Sequence, residues 1–261
     1  LLFAALAFCQ DGDEILHANH GFEMYSIVSK VVGAVPKKIK EDVNFNLNIE
    51  NLIDQTNDAT KVIYIASPNN PTGTYLSRDQ LVKLMNSISK NIIVVIDGAY
   101  VEYVQKDDYD KGFSLTDEYE NIILTRTFSK TYGLAALRVG WCYTSQKIAD
   151  IINKIKPPFN TTTISQSLAI KALEDKEHIE NSVKLNSEIK DWFEKELKLL
   201  NIKTRQTEGN FTLIETSEEE AEKISNHLMN DGIIIRRLNS YNLPNFLRIS
   251  IGTKEEMNLT V

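Results

Sequence analysis

The chain has 261 residues, 42% hydrophobic and 25% charged, the balance of a globular protein with one large domain or two modest ones. Lys and Arg number 29 against 36 Asp and Glu, and the resulting charge of −7 argues against a nucleic-acid footprint and against an anionic membrane surface. Cys9 and Cys142 stand far apart without metal-ligand spacing, which fits a reducing cytoplasm better than a disulfide framework.

Residues 1–8 are apolar but lack a basic flank and are too short to span a membrane. They read as the buried back half of a helix whose beginning is missing. Asp11-Gly12-Asp13 marks a turn before a strand over 14–17, and the apolar positions Phe22, Tyr25, Ile27, Val28, Val31 and Val32 recur at helical spacing up to Gly33. A second strand is expected over 35–39, a helix over 48–55 and a third strand over 61–65. Ser77 caps the next helix, with Asp79 in its first turn. Further strands are expected over 92–96, 122–125 and 139–143. Alternating strands and helices predict a mostly parallel sheet wrapped by helices, with ligands beyond the strand C-termini.

The pattern changes around Lys156-Pro157-Pro158. Helices are expected over 161–174, 177–200 and near 218–229, with strands at 211–214, 233–236 and 246–251. This is a smaller α+β domain, so the division is 1–155 and 156–261. The end, residues 255–261, stops where another helix should begin, and the chain so reads as a fragment truncated at both ends.

Three stretches carry chemistry, each just past an apolar strand. Around Lys130 stand Thr127, Ser129 and Gly133, with Arg138 eight positions on. A lysine can bond an aldehyde once its amine is freed, hydroxyls can donate to a phosphate, and an arginine can clamp it bidentately. Alone, Ser129-Lys130 would read as an exposed loop lysine with Arg138 in a surface salt bridge. Ser67-Pro68-Asn69-Asn70-Pro71-Thr72-Gly73 would alone be turn chemistry. In the third, Val94–Tyr103, Asp97 directly follows the apolar run Val94-Val95-Ile96 and would alone be a turn or cap residue.

Together, in the chain order Ile65–Gly73, Val94–Tyr103 and Thr125–Gly140, they resemble the fold-type I, pyridoxal-phosphate-dependent aminotransferases of classes I and II, over residues 11–253. Within that group the similarity is greatest to the histidinol-phosphate aminotransferases. The resemblance implies that Lys130 bonds pyridoxal phosphate and that Asp97 pairs with its ring nitrogen. Asn70 and Tyr100 would bond its phenolic oxygen, while Arg138, with Thr127 and Ser129, would hold its phosphate. Phe22 in His20-Gly21-Phe22 aligns with an aromatic residue that stacks on the ring; otherwise it belongs to the core stripe.

Arg248, flanked by apolar residues on a strand, needs a partner anion. It matches the arginine that grips a substrate carboxylate. Arg236, the first arginine after Ile233-Ile234-Ile235, matches the one that reads the substrate's distal phosphate, and Arg237 should face the other way because strand side chains alternate. No catalytic or metal role falls to His17, His20, His178 or His227.

The implied activity is transamination of L-histidinol phosphate with 2-oxoglutarate, by a cytoplasmic homodimer with shared active sites and small-molecule substrates. Another class I or II aminotransferase for aromatic or acidic amino acids, a related decarboxylase of phosphate substrates, and a non-catalytic pyridoxal-phosphate-binding regulatory module remain as alternatives. Two departures stand out. The family's phosphate loop and partner-reaching N-terminal tyrosine are missing, and Gly98 stands where many relatives have an acid.

Overall fold

The computed structural model describes residues 1–261. Five strands lie parallel: β1 (Glu14–Ala18), β2 (Val35–Ile39), β3 (Thr60–Ala66), β4 (Ile93–Asp97) and β5 (Ile122–Thr127). A sixth, β6 (Gly140–Thr144), runs antiparallel to β5, and the order is β2-β1-β3-β4-β5-β6. Side chains alternate along each inner strand. Ile63 and Ile65, Val94 and Ile96, and Ile122 and Leu124 face one core, whereas Val62 and Tyr64, Ile93 and Val95, and Ile123 face the other. A sheet apolar on both faces must be covered on both.

On the first face lie α3 (Ile49–Asp54), α4 (Arg78–Ser87) and α5 (Phe113–Glu118), through Leu52, Leu81, Leu84 and Leu115. On the second lie α1 (Leu2–Phe8), α2 (Met24–Val31) and α6 (Gln146–Ile155), through Ala5, Tyr25, Val28 and Ile148. Ser77 starts α4 with a reciprocal capping box to Gln80. The register matters most for the site. Ala66, Asp97 and Thr125 stand side by side at the C-terminal edge, where open α/β sheets bind ligands.

After α6 come α7 (Thr163–Glu174) and the long α8 (Lys176–Leu199). They lead to an antiparallel sheet of β7 (Lys203–Arg205), β8 (Phe211–Glu215), β9 (Arg236–Leu238) and β10 (Leu243–Ser250), in the order β7-β8-β10-β9. Phe193 and Leu197 of α8, Ala221 of α9 (Glu218–Asn230) and Met257 of α10 (Lys254–Thr260) cover Ile214, Leu247 and Ile249 on one face. The other face, with Leu213, Leu238 and Phe246, receives Phe45 from the large-sheet side, its ring edge-on to Phe246 at 5.2 Å. That face therefore looks toward the large sheet. At the seam Gly73 has φ +74°, a Cβ there would run into Thr207, and Glu208 N–H donates to the Gly73 carbonyl at 2.8 Å.

The structure departs from the expected elements in physical detail. The Ile233-Ile234-Ile235 run is not strand: Gly232 turns left-handed at φ +81°, Ile234 is 87% exposed, and β9 starts only at Arg236. β5 runs two residues further than expected, so Thr127 is its last residue. Phe22 precedes α2 instead of lying within it. The helices α5 and α6 and the strand β7 occupy stretches that the sequence pattern leaves as connections, and α10 does form in the final residues. No helix is long and apolar enough to cross a membrane.

Candidate active site

Asp97 is the focus of the C-terminal edge. The Tyr25 hydroxyl donates to its Oδ2 at 2.9 Å, and the Thr125 hydroxyl donates to Oδ1 at 3.1 Å. Tyr25 is fixed by a parallel stack on Tyr64, with ring centroids 4.9 Å apart, and by the edge-on ring of Phe22 at 5.9 Å. Burial pushes the Asp97 carboxyl up from its ordinary pKa, and the two donated hydrogen bonds oppose that rise. Burial, and then the neighbouring Asp97 charge, push the Tyr25 phenol far up, so it stays a donor. An enclosed carboxylate held by two neutral hydroxyls favours a protonated ligand group facing it.

Behind it lies Arg126, 7% exposed, whose guanidinium donates to the carbonyls of Thr125 at 2.8 Å and of Lys111. A side chain on residue 98 would occupy the same space as that guanidinium. Glycine at 98 is thus the counterpart of a buried arginine at 126.

Lys130 follows β5 by three residues. The turn that presents it is pinned by Thr127, whose Oγ1 accepts from Ser129 N–H at 3.0 Å. The Lys130 Nζ stands 5.2 Å from the ring centre of buried Tyr100. Tyr100 meets Phe211 edge-to-face at 5.5 Å, and the Arg248 guanidinium carbon lies 5.0 Å from the Phe211 ring centre. Arg248 Nη1 in turn donates to Asn70 Oδ1. Four residues singled out in sequence, Asn70, Tyr100, Lys130 and Arg248, are therefore linked through one aromatic bridge, with Phe211 as its middle member. Arg248 Nε is buried without a partner, as is Oδ1 of neighbouring Asn69, so the cleft keeps unspent donors and acceptors.

Arg236 and Arg248 are register partners on β9 and β10, and directly opposed residues share a face. Arg236 Nη2 lies 3.8 Å from Glu23 Oε2, whereas Arg237 points to the far face, 3.9 Å from Glu222 on α9. Arg236 thus shares a face with Arg248, and Arg237 takes the opposite one. Arg138 is exposed, takes a left-handed φ of 52°, and donates to the Ala135 carbonyl at 2.6 Å. Its guanidinium is held locally and does not join the aromatic bridge.

Tyr25, Thr125, Phe211 and Glu23 escaped the sequence reading. One signal was present for Tyr25, because a tyrosine in a buried helical stripe must find a partner for its hydroxyl.

A model of the class I and II aminotransferases matches residues 1–261. The chain belongs to that family. Among curated proteins, the histidinol-phosphate aminotransferase of Pelagibacter ubique is 41% identical over 254 residues, covering 96% of this chain and 70% of that protein. That of Zymomonas mobilis is 38% identical, covering 98% and 70%. Among solved structures, the histidinol-phosphate aminotransferase of Sinorhizobium meliloti in complex with pyridoxal-5'-phosphate superposes with TM-score 0.92 at 24% identity, over 99% of this chain and 71% of that one. An aspartate aminotransferase from Thermotoga maritima superposes with TM-score 0.88, also at 24%, over 99% and 71%. These two share the fold of this aminotransferase, a mostly parallel sheet wrapped by helices, and its substrates are small molecules.

Proposed function

We propose that this aminotransferase exchanges an amino group between L-histidinol phosphate and 2-oxoglutarate, forming imidazole-acetol phosphate and L-glutamate in histidine biosynthesis, with pyridoxal phosphate as its cofactor. The observation that carries the substrate class is the Arg236–Arg248 register pair. Like charges directly opposed across a sheet are unfavourable, and the one loose carboxylate contact, Glu23 to Arg236 at 3.8 Å, leaves the pair suited to a further anion. A phosphate on one substrate and two carboxylates on the other supply that anion. Curated relatives at 35–41% identity carrying the histidinol-phosphate aminotransferase name support the same reading.

The residues present fit the cofactor. Asp97, enclosed and held only by hydroxyls, suits a protonated ring nitrogen. Phe22, edge-on to the Tyr25 that bonds Asp97, would cover the ring. Asn70 and Tyr100 would bond the phenolic oxygen, and Thr127, Ser129 and Arg138 the phosphate. Bound pyridoxal phosphate supplies an aldehyde that takes up the amino group and an electron-poor ring that accepts charge from the substrate carbon. Asp97 keeps the proton on the ring nitrogen. Lys130 would hold the cofactor's aldehyde and, once freed by the substrate amine, would serve as the base and acid that carries the substrate's Cα proton. Arg236 orients the phosphate end, and Arg248 the glutamate carboxylate.

The same reading divides the chain into a cofactor domain, 1–155, and a smaller domain, 156–261, that brings both arginines. It also makes the enzyme a homodimer with shared sites. Apolar side chains left exposed on α1 (Leu6) and α7 (Ile164 and Ile170) support a partner surface. Sedimentation of an active enzyme at monomer mass would contradict it.

Arg236→Ala tests the substrate class. Losing a charge-assisted phosphate contact costs about 1.5–3 kcal/mol, roughly ten- to a hundredfold in kcat/KM with histidinol phosphate. Arg237→Ala, on the far face, should be near neutral. Equal activity of Arg236→Ala and the unsubstituted enzyme would overturn the assignment.

A further inference from the structure

We propose that Glu23 is the resident counter-ion of Arg236, which the distal anion of an incoming ligand must displace, so that Glu23 sets how tightly the site holds anions. This rests on Arg236 being the distal-anion site. Glu23 sits between Phe22 and α2 on the large-sheet side, and Arg236 opens β9 on the small sheet, so their contact bridges the cleft. At 3.8 Å the pair is loose, and the side chains are 38% and 54% exposed, so a ligand can reach it.

The two opposed arginines are treated unequally. Arg248 faces the neutral amide oxygen of Asn70, and its Nε has no partner. Arg236 alone has a carboxylate of the protein itself. Tyr241, buried just before β10, lies in the same field: burial raises its phenol first, the Glu23 charge adds to the rise, and Arg248 and Arg236 oppose it. Glu23, Tyr241, Arg236 and Arg248 thus form one electrostatic cluster at the cleft.

The physical consequence is an exchange. A phosphate offers several strong acceptor oxygens to the guanidinium fork, each contact shorter than the loose 3.8 Å approach of Glu23. The ligand must nevertheless break the existing pair before it gains these contacts. Glu23 thereby weakens capture of stray anions by an otherwise bare pair of guanidinium groups, and a ligand with a strong distal anion is the one that prevails.

The sign of the test is distinctive, since removing a merely structural contact weakens binding whereas removing a competitor strengthens it. Inorganic phosphate is titrated calorimetrically into the holoenzyme and its variants. Glu23→Gln, which keeps shape and removes charge, should tighten phosphate binding about two- to fivefold, the range of exposed ion pairs. Glu23→Ala should do the same, and Arg236→Ala should weaken binding with no recovery in the Glu23→Gln/Arg236→Ala double variant. Weaker or unchanged binding in both Glu23 variants, with Arg236→Ala still impaired, would overturn the counter-ion role alone. Unchanged binding in Arg236→Ala would overturn the anion site itself, and the inference with it.

Discussion

Tyr25→Phe isolates one hydrogen bond at the centre of the site. The substitution keeps the ring that stacks on Tyr64 at 4.9 Å and removes only the hydroxyl that donates to Asp97 Oδ2 at 2.9 Å. A hydrogen bond to a charged group is worth about 1.5–3 kcal/mol in favour of the charged form. Burial already pushes Asp97 toward its protonated form, so losing a donor moves it further that way. A neutral Asp97 cannot hold the proton on a pyridine nitrogen. Pyridoxal phosphate affinity should therefore fall by about ten- to a hundredfold at neutral pH, since each tenfold corresponds to about 1.4 kcal/mol. The Thr125 hydroxyl at 3.1 Å remains and sets the residual affinity. Absorbance titration of the apoenzyme with cofactor reads this directly. The weakening should ease as pH rises and Asp97 ionises. Wild-type affinity with an unshifted pH profile would refute the claim that Tyr25 keeps Asp97 charged.

Two further outcomes are expected. Borohydride reduction of the holoenzyme followed by peptide mapping should label Lys130, and a label on any other lysine would overturn the assignment. His17 is 2% exposed, with Nδ1 bonded to the Ala18 carbonyl at 2.8 Å and Nε2 to Ser26 Oγ at 3.0 Å, and burial lowers its pKa. The unfolded chain then takes the proton first, so His17 costs stability as pH falls below about 6.5. The drop in Tm between about pH 7.5 and about pH 5 should be smaller in His17→Gln, and an identical drop would contradict this.

Legibility in the sequence followed what burial and alternation encode. Asp97 could be placed because four apolar residues precede it and β4 stops there. A charge between Leu247 and Ile249 calls for a partner anion, but within the chain Arg248 finds only the neutral amide oxygen of Asn70. Strand direction is not written in such patterns, so β6 reads the same whether parallel or antiparallel. Nor does an Ile-Ile-Ile run reveal that it follows a left-handed glycine and stays out of the strand, with Ile234 exposed and Ile235 packed against the core of the small sheet.

Pairings distant in sequence were the least visible. Tyr25 looks like any aromatic of an amphipathic helix until Asp97 is folded beside it. Phe211 looks like an ordinary core residue until it joins Tyr100 to Arg248. Glu23 looks like a solvated acid until β9 brings Arg236 within 3.8 Å. The motifs identified the chemistry, and the sheet register determined which residues share the cleft.

The central claim is the substrate, and it is tested most directly by the steady-state kcat/KM of the full-length holoenzyme across a panel of amino donors with 2-oxoglutarate as acceptor. The panel should hold L-histidinol phosphate, aspartate, the aromatic amino acids and histidinol without its phosphate. Histidinol phosphate should lead, and histidinol should trail it by about ten- to a hundredfold, the worth of one charge-assisted phosphate contact. A donor without a distal anion turning over as well as histidinol phosphate would contradict the account.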